Sequence, residues 1–202
     1  MSTLSNAAAA PRVPVLADAF ANSVVRNIAL VLGGTAFMIL MAQIAIPVPP
    51  SPVPITGQTL GVILIGASLG SRRGIASISL YVLLGLFFPV YADGNEGLNF
   101  FLHGGNAGYL VGFIVATGVA GWFAEHGSDR KVLTAFLSFI AVQLIVFGFG
   151  VPVLKATFDM TWSDAIHNGF TLFIIGGLIK AAIGAILMPT AWKLQKHSFK
   201  RS

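Results

Sequence analysis

Apolar residues run along this chain in long blocks separated by short polar breaks, without the alternation of a half-buried strand or the single stripe of a soluble helix. A bilayer core of roughly 30 Å takes about 20 helical residues to cross. On that measure residues 28–46 form a first span, 74–91 a third, 106–124 a fourth, 132–154 a fifth and 168–192 a sixth. The second apolar piece, 58–70, is short for a crossing, and a truncated element at membrane depth is tolerated only where protein or a cavity covers it. Arg72-Arg73-Gly74 reads as a sharp polar turn between the second and third spans, and 93–105 as a polar, glycine-rich loop. The pattern predicts an all-α integral membrane protein with six transmembrane helices.

The segment between the first two apolar pieces is unusual. Positions 47–54 hold five prolines in eight residues and no charge. Proline fixes its own φ and biases the residue before it toward extended backbone, so this is a stiffened, extended loop. An ordinary connector has no need of such rigidity, whereas a wall or lid over a small ligand does.

Composition agrees with the pattern. Of 202 residues only 9% are charged and 55% are hydrophobic, and the mean hydropathy is +0.84. A soluble globular chain carries about 25% charged residues, so lipid is the solvent for most of this surface. Cysteine is absent, which excludes disulfides, thiol chemistry and thiolate metal sites. The first 27 residues contain Arg12, Asp18 and Arg26 and no continuous apolar core, so they read as a tail, on the membrane surface or partly ordered, rather than a cleavable signal. The domain division is a tail over 1–27, a membrane domain over 28–192 and a basic tail over 193–202.

The formal charge of +5 would point a soluble protein toward nucleic acid, but its distribution points elsewhere. Arg12, Arg26, Arg72, Arg73, Arg130, Lys131, Lys193, Lys196, Lys200 and Arg201, ten of the twelve basic residues, fall on one side of the six-span arrangement. The opposite side holds the proline loop, the 93–105 loop and the 155–167 loop, with Lys155 as its only basic residue. The positive-inside rule then places both termini in the cytoplasm and the three longer loops outside. Loops held by a rigid scaffold carry binding chemistry, so a site open to the outside is expected.

The remaining basic residue, Lys180, lies about twelve residues into the sixth span, roughly 18 Å along a helix rising about 1.5 Å per residue. A lysine at that depth costs several kcal/mol unless paired or hydrated. Its helical neighbours Gly176, Gly177, Ile183 and Gly184 cannot neutralise it, and no other span carries an acidic residue well inside its apolar run. Its partner is water, backbone carbonyls or an anionic ligand, unless the side chain snorkels or stays neutral. The bare glycine face beside it serves either close helix packing or room for a ligand. Gly104–Phe113 is glycine-rich, and Asn106 within it offers a donor and an acceptor for a ligand or for a helix cap. Tyr91, Phe100, Phe101, Phe158 and Trp162 fall on the external side, where aromatics form an anchoring belt or stack on a ligand. His103, His126, His167 and His197 have no ligand spacing or acidic companions, so no metal site is expected. No nucleophile elbow and no phosphate-binding loop is present, so neither hydrolysis nor ATP use is expected of this chain.

Three motifs carry a resemblance. Gln43-Ile-Ala-Ile-Pro-Val-Pro-Pro-Ser-Pro-Val-Pro-Ile-Thr-Gly-Gln-Thr-Leu-Gly-Val62, followed by Leu69-Gly-Ser-Arg-Arg-Gly74, closely resembles the biotin-specific S component of energy-coupling factor (ECF) transporters, the BioY family. Gly104–Phe113 resembles that family's glycine-rich motif at the start of helix four, and Leu178-Ile-Lys-Ala-Ala182 its last-helix lysine segment. The likeness covers about residues 28–190 in one order. It implies an ECF S-component bundle in the bacterial inner membrane that binds biotin in an outward-facing pocket capped by external loops. It places Lys180 at the valerate carboxylate and Asn106, with Gly108 and Tyr109 beside it, at the bicyclic head. It also implies an ECF partner module, a T component with two ATPases, or self-oligomers acting alone, and no cofactor.

The chain departs from the family pattern at several positions. The aspartate expected three residues before the lysine is Gly177, which Asp159 or Asp164 would have to replace. A Pro-Thr-Gly is Gly105-Asn106-Ala107, and the small-residue pattern of helix one is reduced to Ala29 with Gly33 and Leu32 with Ala36. The resulting expectation is biotin uptake without catalysis, with another small vitamin, or an intramembrane enzyme using Lys180, as alternatives.

Overall fold

A computed structural model describes residues 13–19 and 23–199, with side chains to residue 195. Its helices are α1 (Val24–Gln43), α2 (Gln58–Gly85), α3 (Gly97–His103), α4 (Ala107–Glu125), α5 (Val132–Thr157), α6 (Trp162–Gly169) and α7 (Ile174–Phe199), and two short strands, β1 (Ala45–Ile46) and β2 (Ile55–Thr56), lie between α1 and α2. Four stretches are long and apolar enough to cross a membrane: Val24–Gln43, Ala107–Glu125, Val132–Thr157 and Trp162–Gln195. The two arms of α2, 58–69 and 71–85, occupy the places of the second and third predicted spans and are shorter than the other four.

α2 is a helical hairpin. Gly70 sits at φ 81° and ψ 174°, a region open essentially to glycine alone, and breaks the helical run there. Two contacts show that the chain doubles back. A Cβ on Gly74 would lie 3.4 Å from the Gly66 Cα, and Gln58 Nε2 donates to Tyr81 Oη at 2.7 Å. An unbroken helix rising about 1.5 Å per residue would hold those pairs on the order of 10 and 35 Å apart. The reversal therefore falls at Gly70, with Arg72 and Arg73 already inside the second arm, rather than at the predicted Arg72-Arg73-Gly74 turn. The freed Ser71 N–H donates to Glu125 Oε1 at 2.8 Å.

The predicted elements shift in four places. The second arm of α2 stops at Gly85 rather than reaching Tyr91. The region predicted as an external loop over 93–105 contains α3, and the one over 155–167 contains the end of α5 and most of α6. α7 starts six residues later than predicted and continues to Phe199, through most of the expected 193–202 tail. The proline segment is closed at its base by an antiparallel ladder, Ala45 with Thr56 and Ile46 with Ile55. Inside it the Ser51 hydroxyl donates to Val53 O at 2.9 Å and the Ser51 N–H to Val48 O at 2.9 Å. Stiffness thus comes from a hairpin frame as well as from proline.

The bundle buries Met38, Val62, Ile63, Ile78, Tyr81, Phe139, Val142 and Val146 at its centre. Its outer surface is also apolar, with Val25, Leu133, Ile175 and Leu40 among the exposed side chains, as a lipid-facing surface requires. At the end carrying the α2 reversal, residues 13–19 of the expected tail dock on the bundle, and Val15 and Ala17 are buried. Val13 N donates to Glu125 O at 2.8 Å, Arg130 Nη2 to Pro14 O at 2.6 Å, and Arg73 pairs with Asp18 at 2.7 Å. Residues 1–12 of that tail and residues 200–202 lie outside the described residues. At the same end Trp192 Nε1 donates to the buried Asp129 Oδ2 at 2.5 Å, and the Arg130 guanidinium lies 3.3 Å from the Trp192 ring centre.

Candidate functional site

Lys180 leaves the second turn of α7 and crosses to the base of the proline hairpin. Its Nζ donates to Thr56 O at 2.7 Å and to Thr59 Oγ1 at 2.8 Å. Thr56 is held by the β1–β2 ladder, and Thr59 lies in the first turn of α2, so the partners stand on a rigid corner. Behind them the Thr56 hydroxyl donates to Gln58 Oε1 at 2.9 Å, and Gln58 passes the chain on to Tyr81. Neither partner carries charge, so the ammonium is solvated by dipoles and keeps its full electrostatic demand for an anion.

The cavity in front of Lys180 is walled by five parts of the chain. Val53, Pro54 and Thr56 come from the hairpin, and Tyr91 and Phe100 from the segment around α3. Asn106, Tyr109 and Phe113 come from α4 and its approach, Gln143 and Phe147 from α5, and Phe173 and Gly177 from α7 and the turn before it. Tyr91 is fully buried, stacks on Phe100 at 5.5 Å and meets Tyr81 edge-on at 5.8 Å. Phe147 meets Tyr109 edge-on at 6.4 Å and approaches Phe173 at 6.1 Å. Lys180 is the only Lys, Arg, Asp or Glu among the described lining residues. The cavity is therefore an aromatic box with one cation and a few neutral amides.

Lys180, Asn106, Tyr109 and Gly177 come together on this cavity, while Gly108 faces away from it. A Cβ on Gly108 would lie 2.3 Å from Phe149 O and 2.8 Å from Val153 Cβ, so its bareness seats α4 on α5. Asn106 does not cap α4 with its side chain. Its Nδ2 donates to Gly104 O at 2.9 Å, which turns the amide oxygen away from that turn. The Tyr109 hydroxyl is consumed by Gly169 O at 2.8 Å, leaving its ring face to the cavity. That ring is accommodated by Gly150, where a Cβ would lie 2.2 Å from Tyr109 Cε1.

The glycine face of α7 divides between its two readings. Gly184 packs closely, with a Cβ there 3.0 Å from Ile63. Gly177 makes room, but for a residue from α5: a Cβ there would lie 2.9 Å from Gln143 Oε1. Neither Asp159 nor Asp164 lines the cavity. Asp164 accepts from the Thr161 hydroxyl at 2.7 Å at the start of α6. Among the external aromatics, Tyr91 and Phe100 are cavity walls, while Trp162 and Phe158 are exposed.

Sequence reasoning about charged residues passed over Gln143, Thr56, Thr59 and Gln58. Gln143 was detectable, being the only amide in the 132–154 run, whose other polar residues are Thr134 and Ser138, and an amide there requires a partner. The cavity volume is about 50 Å³, enough for roughly three to five waters at about 10–15 Å³ each. A ligand the size of a vitamin needs more room than this, so lining side chains must move to admit it.

Residues 9–197 match the sequence model described as the BioY family. The chain is 32% identical over 180 residues to the "Biotin transporter BioY2" of Lactococcus lactis subsp. cremoris, covering 89% of this chain and 97% of that one. It is 35% identical over 162 residues to the "Biotin transporter BioY" of Thermotoga maritima, covering 80% and 92%. In structure it is similar to the S component for biotin from an ECF-type ABC transporter, with a TM-score of 0.77 at 24% identity over 86% of this chain and 95% of that one.

Proposed function

The chain belongs to the BioY family, and we propose that it is the biotin-binding S component of a vitamin uptake system, with no catalysis of its own. The observation that carries this reading is the Lys180 ammonium, held only by uncharged oxygens in an aromatic box that also presents the amides of Asn106 and Gln143. Biotin matches that inventory: its carboxylate answers the one cation, its ureido group offers N–H donors and a carbonyl to the amides, and its thiophane ring fills an apolar space. Charge-assisted contacts of this kind are about twice as strong as neutral ones. On binding, the ligand carboxylate takes the place of Thr56 O and Thr59 Oγ1 at Nζ. In the same step the hairpin corner loses its Lys180 tether to α7.

The proposed setting is the bacterial inner membrane, with both termini cytoplasmic and the hairpin outside, supported by the segregation of basic residues. Energy comes from an ECF module of a T component and two ATPases, or the chain acts as a self-oligomer. The exposed face of α1 carrying Ala29, Leu32, Gly33 and Ala36 supports such a contact, because small residues let helices approach closely. Radiolabelled biotin binding to the purified protein, followed by uptake into proteoliposomes with and without an added module, tests both parts. Saturable binding supports the ligand assignment, and its absence contradicts it.

A further inference from the structure

Gln143 lies in the middle of α5 with 4% of its surface exposed. Its Nε2 donates to Gly177 O at 2.9 Å, while its Oε1 is buried and takes no hydrogen bond among the described residues. That bond fixes the orientation of the amide, since the flipped group would set an oxygen against a carbonyl oxygen. What remains is a pure acceptor, beside Gly177, on a residue that lines the cavity holding Lys180. A buried, unpartnered carbonyl of this kind loses the full value of its hydration. It is tolerated where a ligand completes it.

Gly177 is the other half of the arrangement. A Cβ at that position would lie 2.9 Å from Gln143 Oε1, closer than side chains tolerate, so any side chain at 177 displaces the amide. The missing aspartate and the present glutamine are thus one feature: the space and the acceptor role at position 177 are supplied from α5. The substitution also changes the charge of the cavity. A neutral acceptor leaves Lys180 as the sole formal charge among the described lining residues, which favours an anionic group on the ligand.

We infer that Gln143 is a specificity-determining ligand contact whose Oε1 accepts an N–H from the ureido group of biotin, and that Gly177 is required to seat it. This rests on the biotin reading of the site. Gln143 acts as an acceptor only, so a ligand that lacks the matching N–H is rejected.

The test measures binding of biotin, N1′-methylbiotin and N3′-methylbiotin to wild type, Gln143→Ala and Gln143→Met. The last variant retains side-chain length and volume in case the first does not fold. Leaving a buried acceptor or donor unpaired costs roughly 1–3 kcal/mol, about fivefold to a hundred-and-fiftyfold in Kd. Wild type is expected to lose at least tenfold against one of the two methylated ligands. Both Gln143 variants are expected to bind biotin at least tenfold more weakly. In Gln143→Ala the discrimination against that methylated ligand should fall to within threefold. Gly177→Ala should likewise weaken biotin binding, with Gly177→Ala/Gln143→Ala no weaker than Gln143→Ala alone. Wild-type biotin binding with unchanged affinity in the Gln143 variants overturns this inference alone. Absence of biotin binding by wild type overturns the biotin reading and the inference together.

Discussion

Replacing Lys180 with alanine removes the one formal charge among the described lining residues of the cavity. Truncating one partner of a buried, hydrogen-bonded charge pair costs about 2–5 kcal/mol. The lower part of that range applies, because Nζ in the ligand-free protein is already satisfied by Thr56 O and Thr59 Oγ1, and binding exchanges those bonds for the carboxylate. The expected loss is therefore about 2–3 kcal/mol, roughly thirtyfold to a hundred-and-fiftyfold in Kd. Lys180→Arg retains the charge on a longer, planar head and should lose less, about tenfold. Equilibrium binding of biotin and of biotin methyl ester to purified protein separates the charge effect from any general damage. Wild type should prefer the acid strongly, and Lys180→Ala should bind acid and ester within threefold of each other. Unchanged biotin affinity in Lys180→Ala, or a wild-type preference for the acid in that variant, would refute the charge pairing.

Four further outcomes follow from the geometry. Gly70→Ala forces a side chain into a conformation at φ 81° and ψ 174° and should destabilise the α2 reversal by about 1–3 kcal/mol, read as a lowered melting temperature in detergent, with an unchanged transition counting against the hairpin. Tyr109→Phe removes the bond to Gly169 O and should cost about 1–2 kcal/mol of stability while leaving biotin affinity within threefold. Gly150→Ala, by contrast, drives a Cβ to 2.2 Å from the ring and should lower both stability and affinity. Burial pushes the Asp129 carboxyl above its ordinary value, opposed by the Trp192 N–H and the Arg130 charge. A raised folded pKa favours the fold below the unfolded value of about 3.9, and that advantage is lost as pH rises through the folded pKa. The melting temperature of wild type relative to Asp129→Asn should therefore decline from about pH 4 upward, and a flat difference would show that Asp129 does not titrate as described.

The spans were legible because lipid imposes a simple rule on long apolar blocks, and residues 24–43, 107–125 and 132–157 obey it. The α2 reversal was placed a few residues late because the paired arginines are the visible polar signal, whereas the turn depends on the backbone freedom of Gly70. α3 and α6 were read as loops because helices of seven and eight residues carry too little periodicity to register. Lys180 was legible because a charge in an apolar run has few explanations, and Asn106 because it heads a glycine-rich helix start. Gln143 and Thr59 were not, since an uncharged polar residue inside a span becomes informative only when packing shows what it faces. Gly108 and Gly177, alike in sequence, differ entirely in role: one seats α4 on α5, the other admits the Gln143 amide.

A single half-buried cation and two neutral amides are proposed to select one small anionic ligand. Titration of the purified wild-type protein with biotin, in lipid nanodiscs and without any partner subunit, tests it most directly. The account predicts saturable binding at one site per chain, competed by excess biotin and at least tenfold less well by biotin methyl ester. Absence of saturable binding, or equal affinity for acid and ester, would contradict it.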